Sequence, residues 1–466
     1  MAKPAAFTCR SNCAGNPSMS VKVRFAPSPT GLIHVGNVRI ALMNWLFARR
    51  EGGTFVLRVD DTDLERSTKL FEDQIVEDLH WLGLNFDERF NQSARFDLYE
   101  AARAKLVDTG FLYPCYETED ELDRKRKLQR AQGKPPVYDR AALSLTDAEK
   151  AKYEAEGRKP HWRFKLSGGR IEWNDLVRGP SHIDTSSVSD PILIREDGSY
   201  LYTLPSVVDD LEAKITHVIR GEDHVTNSAA QIEIFEALGG KGSSPALAHF
   251  PLLVGSDGEK LSKRIGGLSV KALREEEGIE PMAILSLLAK LGTSDAIEAR
   301  SDLASLVSEL DFSKVSRTPA RFDFAEMERL NAKLLHETGF LAVRDRLEAL
   351  GITAGETFWN AVRPNLNRLK DAADWWQLVE GPVTPVIEDA DYAAKAASLL
   401  PDGELTRESW GAWTSAIKAE TGRKGRELFM PLRQALTGQN HGPEMDVVLM
   451  LIGREKALTR LSGQAA

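Results

Sequence analysis

The sequence predicts an α/β domain built on parallel strands near its N-terminal end and an all-helical region towards its C-terminal end. Two observations carry this prediction. Near the start, a strand, a glycine-bearing loop, a helix and a second strand follow one another, which is the opening of a parallel α/β unit. From about residue 281 onwards, apolar residues recur at helical spacing with almost no strand signal.

The opening α/β unit consists of four consecutive segments. Residues 21–25 alternate like a strand, and the turn-rich sequence APSPTG follows at 26–31. Apolar residues recur at helical spacing over 34–50, and 54–59 is a second buried strand that ends in Asp60-Asp61-Thr62-Asp63. Because ligands of such sheets bind beyond the carboxyl ends of the strands, the loop and the aspartates both lie where a site is expected.

The α/β pattern is then interrupted and resumes later. Residues from about 98 to 199 are charged and less periodic, which indicates an insertion. A strand is predicted at 215–219, ending in Arg220-Gly221-Glu222-Asp223, and a helix at 228–238 and a strand at 250–254 follow it. The next helix is predicted at 281–291, with proline at its start and glycine just past its end. The predicted core residues of the helical region include Trp375, Trp376, Trp410 and Trp413.

Length and composition indicate an ordinary globular chain. About three domains are expected for 466 residues, and 42% hydrophobic and 28% charged residues are typical values. No apolar run approaches the roughly 18 residues of a membrane span. Residues 1–20 are small and polar and lack the apolar segment of a signal peptide, so we expect a disordered leader. Because a second methionine, Met19, lies just before the first strand, this leader could also be a tag or an over-long start. Only Cys115 lies beyond it, which excludes a disulfide framework and favours the cytoplasm.

Net charge alone argues against a nucleic-acid partner, since the formal value is −9. Phosphate binding nevertheless needs only a local basic surface, and two clusters could provide one. The first comprises Arg124, Lys125, Arg126, Lys127 and Arg130, and the second comprises Arg423, Lys424, Arg426 and Arg433. Taken alone, each cluster is more typical of a solvated helix face.

Two short motifs indicate phosphate chemistry. His34-Val35-Gly36-Asn37 stands where a loop becomes a helix, and free backbone N–H groups and the helix dipole favour a phosphate there. An imidazole can donate a hydrogen bond to charge that develops in a transition state, and Gly36 leaves room for a nucleotide. Lys260-Leu261-Ser262-Lys263-Arg264 follows a glycine-bearing loop and could stabilise a departing pyrophosphate. Alone, the first motif also fits a capping histidine and the second an exposed loop.

Together the two motifs resemble the H-I-G-H and K-M-S-K-S signatures of class I aminoacyl-tRNA synthetases. The resemblance narrows to the bacterial glutamyl-tRNA synthetase family over VRFAPSPTGLIHVGN (23–37), LRVDDTD (57–63), VVDD (207–210), ITHVIRGE (215–222) and GRELFMPLRQALTG (425–438). It implies a Rossmann-like catalytic domain at 21–97 and 204–254, an inserted acceptor-stem-binding domain at 98–203, a helical linker carrying the KLSKR loop at 255–335 and a helical anticodon-binding domain at 336–466.

The resemblance assigns roles to matching positions. Arg24 would hold the side-chain carboxylate of the substrate, Arg220 would clamp a carboxylate as well, and Asp60 would meet the ammonium group. The implied glutamate-binding residues are Arg24, Ala26, Ser28, Asp60, Tyr202, Ser206 and Arg220. The implied ATP-binding residues are Thr30, Gly31, His34, Gly36, Asn37, Lys260, Leu261, Ser262 and Lys263, of which His34, Lys260 and Lys263 would be catalytic. The implied tRNA-binding residues are Glu222, Asp223, Arg423, Lys424 and Arg426.

Three departures from the family pattern bear on the site. Asp60 stands where glutamate is more usual, so its contact with the ammonium group could run through water, and Ser206 stands where many members have asparagine. Some relatives hold zinc in the insertion with three cysteines, whereas this chain offers Cys115 alone, so we expect no zinc or other protein-bound metal. We expect the aspartates without an assigned role to cap helices or turns; these are Asp61, Asp63, Asp209 and Asp210.

The implied reaction is ATP-dependent ligation of L-glutamate to the 3′-terminal adenosine of tRNA(Glu), through a glutamyl-adenylate and with release of AMP and pyrophosphate. ATP with Mg²⁺ would be required, tRNA would be bound at its acceptor end and its anticodon, no membrane would take part, and a monomer is expected. The family further implies that activation waits for tRNA.

Several alternatives stay open. A nucleotidylyltransferase of the H-x-G-H type would use the same phosphate chemistry without needing the helical half. A non-catalytic RNA-binding paralogue is opposed by the intact His34, Lys260 and Lys263. The sister glutaminyl enzyme is disfavoured by an arginine pocket, and a glutamyl enzyme could also charge tRNA(Gln) for later amidation.

Overall fold

The structure, a computed structural model, describes residues 20–259, 261 and 268–466. The predicted leader, apart from Ser20, lies outside the described residues, as do Lys260, Ser262 and Lys263 of the KLSKR loop. The chain divides into two compact units. The N-terminal unit comprises the described residues up to 261 together with Leu288–Asp295 and Ala304–Phe322, and the C-terminal unit comprises 268–287, Ala296–Leu303 and Asp323–Ala466.

The N-terminal unit combines helices with twelve described strands. The strands are β1 (Lys22–Phe25), β2 (Thr54–Val59), β3 (Glu88–Asn91), β4 (Leu112–Cys115), β5 (His161–Phe164), β6 (Arg170–Asp175), β7 (Gly179–Asp184), β8 (Ile192–Ile194), β9 (His217–Gly221), β10 (Ala246–Phe250), β11 (Leu253–Gly255) and β12 (Ala320–Phe322). The helices are α1 (Val35–Arg50), α2 (Lys69–Trp81), α3 (Phe96–Asp108), α4 (Glu119–Ala131), α5 (Asp147–Ala155), α6 (Thr203–Glu212) and α7 (Val225–Gly239).

Two sheets with parallel strands position the candidate site. Strands β1, β2 and β3 pair in parallel in that order. In the second sheet, of order β7-β6-β10-β9, only the pairing of β6 with β7 is antiparallel. Lys22 O accepts a hydrogen bond from Thr216 N at 2.9 Å, which joins the edge of the first sheet to the start of β9. Strand β2 is buried at every position after Thr54, as expected for a strand covered on both faces.

Most predicted elements of the N-terminal unit are confirmed. The strands at 21–25 and 54–59, the helix at 34–50 and the helix at 228–238 correspond to β1, β2, α1 and α7. The single strand predicted at 250–254 is wrong: β10 ends at Phe250 and β11 begins at Leu253, because Pro251 has no N–H for a ladder hydrogen bond. Strands β6 and β7 lie within the predicted insertion, yet β6 pairs with β10.

The C-terminal unit is helical, as the periodicity predicts. Its helices are α8 (Val270–Glu275), α11 (Phe324–Glu337), α12 (Phe340–Ala349), α13 (Glu356–Val362), α14 (Ala372–Glu380), α15 (Ala390–Ser398), α16 (Arg407–Thr421), α17 (Arg426–Thr437) and α18 (Met445–Leu461). Two further helices, α9 (Pro281–Lys290) and α10 (Leu303–Ser308), have residues in both units. No described helix is long and apolar enough to span a bilayer.

Tryptophans fill the core of the C-terminal unit. Trp413 and Trp359 are fully buried, and Trp375, Trp376 and Trp410 are partly buried against the same apolar cluster. The Nε1–H of Trp413 donates to the carbonyl oxygen of Ala396 at 2.8 Å, so α15 and α16 are joined by a hydrogen bond as well as by packing. The predicted core role of the four tryptophans is confirmed.

Replacing Trp413 by alanine should lower the free energy of unfolding of the C-terminal unit by about 3–5 kcal/mol, because a large buried side chain is lost and a cavity remains. Urea unfolding monitored by circular dichroism measures this change. Leu341→Ala is the control, since that side chain is 82% exposed. Similar unfolding midpoints for the two variants would contradict the core role of Trp413.

Candidate active site

A buried network of ion pairs lies at the carboxyl ends of β1 and β2 and consists of Arg24, Arg58, Asp60 and Asp210. Arg24 Nε donates to both carboxylate oxygens of Asp210, at 3.0 and 3.2 Å. Arg58 Nη1 donates to Asp210 Oδ1 at 2.9 Å, while Arg58 Nε and Nη2 donate to the two oxygens of Asp60, at 2.7 and 3.1 Å. All four side chains are buried. Asp210 therefore bridges two guanidinium groups, and each buried charge has an opposite partner.

The charges of this network shift the pKa values of its members. Burial opposes the charged form of Arg58, but the carboxylates of Asp60 and Asp210 outweigh it and raise the pKa of the guanidinium. Burial raises the pKa of Asp60 to about 6, against the opposing effect of Arg58. Arg58 Nη2 also donates to Ser206 Oγ at 3.1 Å. Ser206 is thus engaged by Arg58, and each oxygen of Asp60 keeps a second lone pair for another donor.

Of the three nitrogens of the Arg24 guanidinium, only Nε is hydrogen-bonded within the part of the chain that the structure describes. Its Nε is committed to Asp210, but no acceptor among the described residues lies within hydrogen-bonding distance of its Nη1 and Nη2 groups. Arg24 is only 4% exposed to solvent. A buried guanidinium with a free two-pronged end suits a carboxylate ligand, which it can bind through two parallel hydrogen bonds.

Arg220, near the end of β9, is surrounded by uncharged acceptors. Its Nε donates to His249 Nε2 at 3.1 Å, its Nη1 to Gln231 Oε1 at 2.6 Å and its Nη2 to Ser228 Oγ at 2.8 Å. Burial lowers the pKa of Arg220. In the part of the chain that the structure describes, no carboxylate forms an ion pair with this guanidinium. Its positive charge is therefore buried without a direct counterion.

Tyr202 lies among the three arginines. Its hydroxyl is 3.5 Å from Arg220 Nη1, and its ring centroid lies 5.4 Å from that of His224. Burial raises the pKa of Tyr202, but the positive charges of Arg220, Arg24 and Arg58 prevail and lower it. The ends of β1, β2 and β9 thus bring the predicted glutamate-binding residues Arg24, Asp60, Tyr202 and Arg220 into one electropositive cluster.

His34 is the N-cap of α1. Its Nδ1 accepts a hydrogen bond from Gly36 N at 3.0 Å, and Asn37 Oδ1 accepts one from His34 N at 3.2 Å, which completes a capping box. Burial lowers the pKa of His34, so the ring is neutral at pH 7 and its proton resides on Nε2. A Cβ on Gly36 would lie 2.8 Å from His34 Cε1, so this glycine makes room for the imidazole itself.

The APSPTG loop is fixed to its surroundings through its backbone. Pro27 O accepts from Asp60 N at 2.9 Å, Pro29 O accepts from Thr68 N at 3.1 Å and Ser28 O accepts from Thr30 N at 2.9 Å. The side chains of Ser28 and Thr30 are exposed, and Ala26 and Gly31 are half-buried. The described residue of the KLSKR loop, Leu261, is buried.

The expectation that four aspartates cap helices or turns is confirmed for two of them. Asp61 accepts from the N–H and Oγ–H of Ser93, and Asp63 accepts from Arg66 N at 3.2 Å. It is wrong for Asp209 and Asp210. Asp209 is fully buried and accepts from Gln92, Arg95 and Tyr99, while Asp210 bridges Arg24 and Arg58. Buried carboxylates at these positions require cationic partners, which are Arg95 for Asp209 and the site residues Arg24 and Arg58 for Asp210.

The predicted tRNA-binding residues Glu222 and Asp223 follow β9 directly. Glu222 accepts from Arg178 Nη1 at 2.9 Å and from Leu252 N at 3.0 Å, so it ties three segments together. The Asp223 side chain is 57% exposed. Of these two acidic residues, Asp223 has the carboxylate that is more accessible to a ligand.

The predicted basic residues of the C-terminal unit differ in their surroundings. Arg423 pairs with Asp389 and stacks on the ring of Tyr392 at 4.1 Å. Lys424 and Arg426 are exposed. Arg426 lies in a surface cleft of about 770 Å³ whose lining residues are Arg407, Glu408, Trp410, Gly411, Arg426, Phe429, Met430, Arg433, Glu444, Met445 and Asp446.

Cys115, Glu117 and His161 come together in the predicted insertion, with ligand-type atoms within 4.8 Å of one another. Their atoms already have partners. Tyr138 OH lies 2.9 Å from Glu117 Oε1 and 3.6 Å from Cys115 Sγ, and His161 Nε2 accepts from Arg163 Nε at 3.3 Å. Burial raises the pKa of the Cys115 thiol to about 12, and burial, together with Arg163, lowers the pKa of His161 to about 4. A thiolate is therefore disfavoured here.

Several residues of the site were not predicted from the sequence. Arg58 and Asp210 belong to the quoted segments LRVDDTD and VVDD, so the segments were found but these side chains received no role. Gln231 and His249 stand on α7 and β10 outside those segments, and no short motif marks them. Only the pairing of β9 with β10 and the packing of α7 bring them to Arg220.

Comparison with known proteins gives matches over almost the whole chain. Residues 20–331 match the family model "tRNA synthetases class I (E and Q), catalytic domain", and residues 356–465 match the model "Anticodon binding domain". The chain is 64% identical to glutamate–tRNA ligase 1 of Maricaulis maris over 445 residues, which cover 96% of this chain and 100% of the relative. It is 64% identical to glutamate–tRNA ligase 2 of Hyphomonas neptunium, over 94% of this chain and 99% of the relative.

Solved structures show the same similarity in three dimensions. A glutamate–tRNA ligase from Elizabethkingia meningosepticum, crystallised in complex with its amino acid, superposes with a TM-score of 0.84 at 28% identity, covering 95% of this chain and 98% of that one. The glutamate–tRNA synthetase of Elizabethkingia anophelis gives a TM-score of 0.83 at 28% identity, over 95% and 99% of the two chains. This chain therefore belongs to the family of class I tRNA synthetases for glutamate and glutamine, with a class I catalytic domain followed by an anticodon-binding domain.

Proposed function

We propose that this chain is a glutamate–tRNA ligase that joins L-glutamate to the 3′-terminal adenosine of tRNA at the expense of ATP. The observation that carries the proposal is the charge of the site: among the residues that the structure describes, buried Arg220 has no direct counterion and the two Nη groups of Arg24 have no partner. Relatives at 64% identity that are named glutamate–tRNA ligases support it. A glutamine amide would leave a guanidinium uncompensated, so the site favours glutamate over glutamine.

In the proposed complex, Arg24 holds the side-chain carboxylate of glutamate and Arg220 is a further carboxylate clamp. Asp60 offers a lone pair to the ammonium group, while Arg58 holds the other side of the same carboxylate. Ala26, Ser28 and Tyr202 line the site. Ser206 acts through Arg58, since its hydroxyl accepts from that guanidinium.

ATP binding is proposed at the N-terminus of α1. The capping hydrogen bond at Nδ1 leaves the Nε2–H of His34 as a donor for a phosphate oxygen. Thr30, Gly31, Gly36 and Asn37 belong to the same turn, and Lys260, Leu261, Ser262 and Lys263 would approach the triphosphate from the KLSKR loop. Residues 26–37 contain no carboxylate, so Mg²⁺ would be held mainly by the phosphates, where it neutralises their charge.

The first proposed step is in-line attack of the α-carboxylate of glutamate on the α-phosphorus of ATP. It forms glutamyl-adenylate, and the bond to the departing pyrophosphate breaks. Both groups are anionic, so the work of the protein is positioning by Arg24 and Arg220 and charge stabilisation by His34, Lys260 and Lys263. In the second step the 2′-hydroxyl of the terminal adenosine attacks the acyl carbon, and AMP leaves. Glu222 and Asp223 are proposed to lie near that adenosine, and activation is proposed to wait for tRNA.

The cleft of the C-terminal unit is the proposed anticodon site. Phe429 is 44% exposed, and its ring lies 6.2 Å from that of Trp410, so two aromatic faces are available for bases to stack on. Arg426, which has no ion-pair partner among the described residues, could contact a phosphate, as could Arg423 and Lys424 on the same segment. The cleft lies within the residues that match the anticodon-binding family.

The remaining assignments follow from this function. We propose the domain limits 21–97 with 204–254, 98–203, 255–335 and 336–466, with β6 and β7 of the insertion completing the second sheet. We propose that the Cys115 locus holds no zinc, because Tyr138 and Arg163 already engage its ligand atoms. A tRNA-charging enzyme works where translation takes place, so we assign the chain to the cytoplasm, and we propose that it acts as a monomer.

Aminoacylation assays with purified tRNA(Glu) and tRNA(Gln), each with glutamate or glutamine, test the function. We expect glutamate to be joined to tRNA(Glu), with no transfer of glutamine, because only a second carboxylate neutralises the arginines. Transfer of glutamate to tRNA(Gln) as well would replace this assignment by a non-discriminating enzyme. A preference for glutamine, or product formation from ATP without tRNA, would contradict the proposal.

Replacing His34 by asparagine should lower the rate of glutamate activation about 10²- to 10³-fold, because the donor to the phosphate is lost. Asparagine is a good N-cap, so α1 should remain intact. The rate is measured by tRNA-dependent ATP–pyrophosphate exchange, with the KM for glutamate expected to change less than about twofold. His34→Ala, which also loses the cap, serves as the comparison for stability. An asparagine variant with the wild-type rate would exclude the catalytic role.

Replacing Phe429 by alanine should raise the KM for tRNA about tenfold, since stacking of one base on an aromatic ring contributes about 1–3 kcal/mol. The KM values for ATP and glutamate should stay unchanged. Leu341→Ala is the control, because Leu341 is 82% exposed in the same unit but does not line the cleft. Equal effects of the two substitutions on tRNA would contradict an anticodon site in this cleft.

A further inference from the structure

The Arg220 guanidinium is held by a set of acceptors that orient it without neutralising it. The acceptors are His249 Nε2, Gln231 Oε1 and Ser228 Oγ, at 3.1, 2.6 and 2.8 Å, and the Tyr202 hydroxyl lies farther away, 3.5 Å from Nη1. The side chains of His249, Gln231 and Ser228 are buried. The other arginine proposed to bind glutamate, Arg24, is held differently, by the carboxylate of Asp210. The two arginines therefore differ in the charge that remains for a ligand.

His249 can accept from Arg220 only in one tautomer, and Asp175 fixes it. Asp175 Oδ2 lies 2.5 Å from His249 Nδ1, so the imidazole proton resides on Nδ1 and Nε2 is an acceptor. Burial opposes ionisation of Asp175, but the hydrogen bonds from His249 and from the backbone of Arg178 and Val177 prevail and lower its pKa to about 2. Burial lowers the pKa of His249, which keeps the ring neutral. The negative charge of Asp175 is thereby separated from Arg220 by the width of the ring.

Ser228, His249 and Asp175 also match, in residue type, the nucleophilic triad of hydrolases. Ser228 Oγ lies 3.0 Å from His249 Nε2. However, Ser228 and His249 are completely buried, and the serine oxygen accepts from Arg220 Nη2. No substrate carbonyl could reach that oxygen. The three residues therefore serve Arg220, not a hydrolytic reaction.

We propose that His249, its tautomer fixed by Asp175, and Gln231 are positioning residues that hold Arg220 through neutral acceptors, so that the full positive charge is left for a carboxylate of the amino-acid substrate. The inference rests on the proposed binding of glutamate by Arg220. A carboxylate in place of either acceptor would orient the guanidinium equally well but would compete with the substrate for its charge. The neutrality of these acceptors is therefore the feature that sets the affinity for an anionic substrate.

The sharpest test is Gln231→Glu, because the side chain keeps its shape and its acceptor oxygen but gains a charge. The glutamate KM should rise about 10- to 100-fold, as expected when a charge-assisted hydrogen bond to the substrate is weakened. The KM for ATP should change less than about twofold, and the thermal unfolding temperature should not fall, since a new buried ion pair forms with Arg220. If Gln231 had only a structural role, the substitution would not raise the KM for glutamate while leaving the KM for ATP and the unfolding temperature unchanged.

Two substitutions of His249 separate its two contacts. His249→Asn places an amide near the former Nδ1 and keeps the contact with Asp175, but it cannot reach Arg220, so the glutamate KM should rise about tenfold or more. His249→Gln places an amide oxygen near the former Nε2 and should stay within about threefold of the wild type. His161→Asn is the matched control, because His161 is also buried and also accepts from an arginine, Arg163. It should leave the glutamate KM unchanged.

Arg220→Lys distinguishes failure of this inference from failure of the proposed binding site. If Arg220→Lys leaves the glutamate KM unchanged, Arg220 does not bind the substrate, and the inference falls with that role. If Arg220→Lys raises the KM but Gln231→Glu and His249→Asn both stay within about twofold of the wild type, the positioning role alone is overturned. Support requires that His249→Asn adds little in the Arg220→Lys background, since residues acting through one another are not additive.

Discussion

Three arginine side chains lie buried at the carboxyl ends of β1, β2 and β9, and the need to compensate their charges organises the surrounding residues. Transfer of a guanidinium from water into the protein costs several kcal/mol unless hydrogen bonds and opposite charges replace the lost hydration. Asp210 meets this need for Arg24 and Arg58 together, and Asp60 completes the network. Asp210 stands on α6, so the network also fixes that helix against the ends of β1 and β2.

Among the described residues, Arg220 has no carboxylate as a direct partner. Its acceptors are neutral, and the carboxylate of Asp175 acts through the imidazole of His249. A protein that needed only a stable core would place a carboxylate here. A binding site for a dicarboxylic amino acid gains from the opposite arrangement, because the substrate itself provides the missing negative charge. If Arg220 binds glutamate as proposed, the lower stability of the empty site is the counterpart of affinity for that substrate.

In the proposed nucleotide-binding part of the site, a single hydrogen bond of His34 serves both the helix and the proposed chemistry. His34 caps α1 through Nδ1, and the same hydrogen bond leaves the proton on Nε2, where a phosphate oxygen could accept it. The capping and the catalytic interpretations of this histidine, which are alternatives when only the motif is considered, are compatible in the folded chain. Gly36 is required because the imidazole lies over it. A side chain at that position would displace the ring that the proposed chemistry uses.

By itself, the sequence determined the fold class, the order of the elements and the family. Apolar residues that recur at every second position or at helical spacing reflect which side of an element is buried, so β1, β2, α1 and the helical C-terminal unit could be predicted. Motifs in the expected order marked Arg24, His34, Asp60 and Arg220. Only the tertiary structure decided how those side chains are paired. Asp210 reaches Arg24 across 186 positions and His249 reaches Arg220 across 29, and such contacts depend on which strands become neighbours. For that reason Asp210, expected to cap a turn, and His249, without any motif, are recognised as parts of the site only in the folded chain.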